Sequence, residues 1–171
     1  LINLAAVQIF TDFEKRKTDE IDLMLNVNIR ANLILTQFIF NNYFKKQNRG
    51  NIINLASIFG IISPNFKNYR PGDRKSSETY GATKAALIQL TRYFANYMSE
   101  YNVRVNSISP GGIYDSKVQS NSFVKRYEKN VPLRSLGTHE DVIHQVMFLI
   151  SDKSKYTTGQ NIVIDGGYTI I

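Results

Sequence analysis

Cysteine and tryptophan are absent from the 171 residues, and only 4 prolines and 3 methionines occur. Without thiols the chain can form no disulfide, no thiolate metal site and no cysteine nucleophile. A reducing, cytoplasmic setting is the simplest one consistent with that composition. The 2 histidines, His139 and His144, have no Asp or Cys companion at ligand spacing, so both read as surface or capping residues and no metal is expected. No uninterrupted apolar stretch reaches the ~18–20 residues of a membrane span, so no membrane contact is expected. Low-complexity tracts, repeats and linkers are also missing, which leaves one domain-sized unit.

What is present is ordinary for a folded chain: 43% hydrophobic residues, 12% aromatic and 20% charged. That apolar content excludes disorder. Basic residues outnumber acidic ones, 21 to 14, for a net charge of +7 and a pI near 9.6. The excess is scattered, with no run beyond Lys15-Arg16-Lys17 and Lys45-Lys46. No basic stripe or binding motif accompanies it, so solvated surface is the default and nucleic acid is not an expected partner.

Leu1-Ile2-Asn3-Leu4-Ala5-Ala6 is a short apolar run ending in small residues, without a basic leader, and reads as the end of a buried strand. Thr18 or Asp19 can cap a helix to about Gln47, with Ile21, Leu25, Ile29, Leu33, Phe40 and Phe44 at helical spacing. A β-branched run at 51–57, a polar loop at 63–79, and a helix from Tyr80 to about Glu100 follow. Next come a strand at 103–109 closed by Pro110-Gly111-Gly112 and a helical lid segment within 116–130. A helix at 139–150 and a strand at 160–165 closed by Gly166-Gly167 complete the chain. This alternation predicts an α/β fold with a parallel sheet.

Tyr80-Gly81-Ala82-Thr83-Lys84 places a phenol and an ammonium on one face of a helix's first turns. A free tyrosine ionises near pKa ~10, so a nearby cation is what would fit it for acid–base work at neutral pH. Ser57 lies at the carboxyl end of the preceding strand, where ligands bind in open parallel sheets, and could hydrogen-bond the same reacting oxygen. A lone Tyr-x-x-x-Lys is weak; its value comes from the order of Ser-bearing strand, loop, Tyr/Lys helix, strand and Pro-Gly.

In that order the sequence resembles the short-chain dehydrogenase/reductase family along nearly its whole length. The resemblance implies a Rossmann-type, doubly wound parallel sheet and a nicotinamide cofactor, NAD or NADP. It implies catalytic roles for Ser57, Tyr80 and Lys84, and for Asn28 as the helix residue that holds a relay water. It implies cofactor contacts from Asn3, Ala5 and Ala6, where Leu4 and Ala6 depart from the family's strand end, and from Tyr80 and Lys84. Pro110, Gly111 and Ile113 look like the segment that packs on the nicotinamide, and Thr158-Gly159-Gln160 with Asp165-Gly166-Gly167 resembles the terminal strand signature. A homotetramer or homodimer built from the 19–47 and 80–100 helices is implied too. Helix residues such as Tyr43, Tyr93 and Tyr97 suit burial on a second side.

Two departures shape the expectation. The family's Gly-rich phosphate loop and its cofactor-selecting residue belong to first βαβ units that this sequence lacks, so residues 1–171 read as the C-terminal part of one Rossmann-type oxidoreductase domain, N-terminally incomplete. The Ser57-to-Tyr80 gap is also longer than is usual for single-domain members, which makes 63–79 an inserted substrate loop. A looser resemblance links Tyr69-Arg70-Pro71-Gly72 to bacterial members of flagellin-modification and surface-sugar pathways. The loop offers Lys67, Arg70, Arg74 and Lys75 with few apolar side chains, so a polar, anionic sugar derivative is the expected substrate, Arg70 and Arg74 contacting its phosphate. Two other functions stay open: a sugar-nucleotide epimerase or dehydratase with transient hydride transfer, and a non-catalytic binding subunit.

Overall fold

The computed structural model describes all residues from Leu1 to Ile171. Four parallel strands form one sheet in the order β1 (Ile2–Asn3), β2 (Gly50–Leu55), β3 (Val103–Pro110) and β4 (Asn161–Ile164). Helix α1 (Thr18–Gln47) crosses from β1 to β2, α2 (Glu78–Tyr97) from β2 to β3, and α3 (Asn121–Glu128) and α4 (His139–Ile150) lie between β3 and β4. Helices on both faces of a parallel sheet are the doubly wound arrangement expected.

Alternation along β2 sorts the core. Ile52 packs with Ala95, Met98, Val103, Val105 and Phe40 on the α1/α2 face. Its neighbour Ile53 turns to the other face, with Leu55, Ile108 and Leu149 of α4. One layer is polar across the whole sheet: Asn3, Asn54, Ser107 and Asn161 stand in register. Asn3 donates to Asn54 at 2.9 Å, Asn54 to Thr91 of α2 at 2.9 Å, and Ser107 to Asn161 at 2.9 Å. Each buried amide is thereby satisfied, which is the condition for burying it at all.

Helix ends follow local chemistry. The Lys17 backbone N–H meets the Glu20 carboxylate at 2.9 Å at the start of α1, and Asp19 and Glu20 complement the helix dipole. Thr138 and Asp141 cap α4 reciprocally. The α2 helix begins at Glu78, two residues before the expected start, because the Ser77 hydroxyl accepts the Tyr80 N–H at 3.2 Å. The expected run of strand at residues 1–6 shrinks to Ile2–Asn3, since the chain then leaves the sheet edge and Val7 is held by Asn28. Only Asn121–Glu128 of the 116–130 segment is helical, started by the Ser120 hydroxyl.

Helix α1, of 30 residues, is long enough to cross a membrane and holds an 18-residue stretch apolar enough to do so by composition, a point that the longest uninterrupted apolar run does not reveal. In the fold its Met24, Asn28, Thr36 and Phe40 face inward, and it makes two π-helical turns, Asn26–Arg30 and Phe40–Phe44.

Candidate active site

Two glycines bring the reactive side chains together. After β2 the chain makes a tight turn, Ile58–Gly60, begun by Ser57, whose hydroxyl accepts the Phe59 N–H at 3.2 Å. That turn lies directly on the first turns of α2. A Cβ on Gly81 would come within 2.9 Å of the Phe59 carbonyl oxygen, and one on Gly60 within 2.7 Å of the α2 backbone at Ala85. Glycine at both places permits the close approach, and the approach sets Ser57 beside Tyr80.

Ser57 and Tyr80 line one cavity of about 420 Å³. Of its 18 wall residues 8 are hydrophobic and three are glycine, so the wall mixes apolar and polar groups. Burial raises the Tyr80 phenol above the usual tyrosine range, and its hydrogen bond with Ser57 pulls it partly back. Lys84 was expected to depress that phenol, yet desolvation wins and the group is held protonated at neutral pH. The Lys84 ammonium is almost fully buried, 5.5 Å from the Tyr80 ring centroid, and donates to the Leu55 carbonyl at 2.6 Å. Burial also pulls Lys84 down to about 8.

Asn28 sits under this pair, in the middle of the first π-helical turn. Its side chain accepts the Val7 N–H at 2.8 Å and donates to the Val7 carbonyl at 2.9 Å and to Thr83 at 3.0 Å. Both amide hydrogens are thus spent on holding the 7–16 segment to α1 and α2.

The structure separates the other expected site residues. Gly111 lines the cavity, whereas Pro110 and Ile113 do not. Asn3 is buried beneath, bonded to Asn54, Asn32 and Thr36, and Ala5 and Ala6 are exposed outside the cavity. The 63–79 loop contributes Tyr69, Gly72, Asp73, Arg74 and Ser76 to the wall. Arg70 is not among the wall residues; its backbone N–H is bound by Asp73 at 2.7 Å and the residue is exposed.

Residues that sequence reading passed over complete the wall. Gln8 and Phe10 come from the segment after β1, and Phe123 and Tyr127 from α3. The Tyr127 hydroxyl accepts the Gly112 N–H at 2.8 Å, and its ring stacks on Tyr168 with centroids 4.7 Å apart. Their i, i+4 spacing on α3 was the available signal for Phe123 and Tyr127. Nothing local marks Phe10.

The sequence pattern of the enoyl-(acyl carrier protein) reductase family matches residues 1–169. The chain belongs to the short-chain dehydrogenase/reductase family. It is 39% identical over 144 residues to post-translational flagellin modification protein A of Campylobacter coli, covering 84% of this chain and 55% of that protein. It is 33% identical to a 3-oxoacyl-[acyl-carrier-protein] reductase, FabG, of Thermotoga maritima, over 99% of this chain and 65% of that one. The fold superposes on a short chain dehydrogenase of Leptospira borgpetersenii with bound NAD+ at a TM-score of 0.91, with 39% identity over 98% of this chain and 63% of the other. The chain therefore spans less than two thirds of the length of these relatives.

Family membership raises the question of whether the residues present suit a nicotinamide cofactor. Lys84 carries three N–H donors, of which one is spent on Leu55. A buried ammonium with two free donors, 5.5 Å from the ring of a tyrosine that lines the cavity, fits the hydroxyls of a nicotinamide ribose. No Gly-rich phosphate loop occurs in the 171 residues, so the fit extends to the nicotinamide end alone.

Proposed function

We propose that residues 1–171 form the catalytic part of an NAD(P)-dependent oxidoreductase that interconverts a carbonyl and a secondary alcohol on a polar, anionic sugar-type substrate. The observation that carries this reading is the meeting of the Ser57 and Tyr80 hydroxyls at one cavity wall, with the Lys84 ammonium buried behind them. The adenosine-binding units of such an enzyme are not among these residues, so its activity is measured on the full-length protein.

When bound, the nicotinamide supplies or accepts the hydride at the substrate carbon. Tyr80 gives its proton to the carbonyl oxygen in reduction; its raised pKa keeps that proton available at neutral pH. Ser57 orients the same oxygen. Lys84 holds the ribose hydroxyls and keeps a positive charge under the phenolate that Tyr80 leaves behind. With the Asn28 side chain occupied by Val7 and Thr83, the backbone of the π-helical turn is the part left to hold a relay water.

A sugar-type substrate is supported by the polar groups on the cavity wall, Gln8, Arg74 and Gln119 among them, and by the likeness to a flagellin-modification protein. The exposed Ile34, Leu35 and Phe38 of α1 and Tyr93 and Tyr97 of α2 support a homotetramer or homodimer, which sedimentation of the full-length protein reads directly. The absence of cysteine supports a cytoplasmic setting.

Replacing Tyr80 by Phe in the full-length enzyme should lower turnover by roughly 10²–10⁴-fold and leave cofactor affinity within a factor of about two. Near wild-type turnover in Tyr80→Phe would overturn the assignment. Product formation without net oxidation of NADH or NADPH would instead favour the epimerase or dehydratase function.

A further inference from the structure

We propose that Arg74 binds an oxyanion, phosphate or carboxylate, on the substrate and is the residue that selects charged over neutral sugars. This rests on the oxidoreductase reading above and names the group that recognises its substrate. Six cations belong to the 63–79 loop or pair with its carboxylates, and the structure accounts for five. Arg126 is paired with Asp73 at 2.6 Å, Lys75 with Asp12 at 3.3 Å, and Arg16 with Glu78 at 2.8 Å. Lys67 and Arg70 are exposed and form no part of the cavity wall.

Arg74 is exposed too, but it differs in position and in pairing. It lines the cavity that holds Ser57 and Tyr80. No carboxylate pairs with it, and its guanidinium donates no hydrogen bond to the protein. It is aimed all the same: the guanidinium carbon lies 5.4 Å from the centroid of the Phe10 ring, a cation–π contact that places the planar fork without using its N–H groups. All five donors stay available, in the geometry that grips phosphate or carboxylate with two parallel bonds.

The charge balance of the wall points the same way. Asp73, the one acidic wall residue, is neutralised by Arg126, which leaves Arg74 as the net charge. The segment that presents it is braced from behind, since Gln8 donates to Ser76 at 3.0 Å. An oxyanion entering there meets a placed, unpaired cation at one part of the cavity while a carbonyl meets the Ser57 and Tyr80 hydroxyls at another.

Calorimetric titration of the full-length protein with glucose 6-phosphate, UDP-glucose, glucuronate and glucose tests this without requiring turnover. At least one charged probe should bind ten-fold or more tighter than glucose, and which one separates phosphate monoester, sugar nucleotide and carboxylate. Arg74→Gln should remove about ten-fold or more of that preference, Arg74→Lys should restore part of it, and Arg70→Gln should leave it unchanged. Equal binding of glucose, no binding of any charged probe, or an Arg74→Gln protein that keeps the preference would overturn the proposal. NADH titration of the same variants tells the two failures apart: loss of NADH binding in every protein counts against the oxidoreductase reading, whereas intact NADH binding with no charge preference counts against Arg74 alone.

Discussion

Lys84 is charged at a cost, since its ammonium is buried and pulled from the ordinary 10.5 down to about 8. If the charge supports the Tyr80 phenolate, activity depends on a proton that the site gives up earlier than a surface lysine would. The sign follows directly. Below pH ~8 the group is mostly ammonium, and above it the cation disappears. The turnover number should therefore hold level up to about pH 8 and then fall approximately ten-fold per pH unit, while Lys84→Met should be slow at every pH. A profile that stays flat to pH 10 would show that the Lys84 charge is not used. Tyr80, Lys84 and Ser57 were legible in the sequence because helix periodicity and strand ends fix their spacing. Loop residues carry no periodicity, so the sequence could not say that Arg74 and not Arg70 lines the cavity. Phe10 and Tyr127 reach the cavity from distant elements, and only the fold brings them there.

At the scale of elements, the 63–79 loop is a bridge between two cavity walls. On one side Gln8, Asp12 and Arg16 of the segment after β1 bond to Ser76, Lys75 and Glu78. On the other, Arg126 of α3 bonds to Asp73 and to the Asn68 carbonyl at 2.8 Å, and Asn130 to Asn68 at 2.9 Å. Asn68 also donates to Tyr168 near the end of the chain. The Asp73–Arg126 pair is mostly shielded, at 17% and 20% side-chain exposure, so it is worth more than a surface pair. Asp73→Asn should raise amide hydrogen exchange in residues 66–77 and 121–130 together, and the reversed pair Asp73→Arg with Arg126→Asp should recover part of the loss. A coupling of about 1–3 kcal/mol is expected for contacting residues of one network. Exchange that rises in only one of the two segments would show that loop and α3 are independent. The sequence located this loop through its polarity and its anchored ends. The bridging was out of reach, because each partner lies more than fifty residues away along the chain.

At the scale of the whole molecule, the alternation of strands and helices specified the sheet, and the structure has every element of the α1, α2 and α4 layers in the expected order. What the alternation could not supply is the polar layer from Asn3 to Asn161, since a buried asparagine in a strand looks like a turn signal until its partners are known. That layer ties the sheet to α2 through Thr91, and α2 carries Tyr80 and Lys84 to the cavity. The claim that joins these scales is hydride transfer at the Ser57–Tyr80 wall. It is tested most directly by following the label from NADH, or NADPH, deuterated on either face of the nicotinamide C4, into the product of the full-length protein by mass spectrometry. The account predicts one deuterium on the former carbonyl carbon, from one face of the cofactor only, with the rate of its appearance collapsing in Tyr80→Phe. Product that carries no deuterium from either face, or that gains it as fast in Tyr80→Phe as in the wild type, would contradict it.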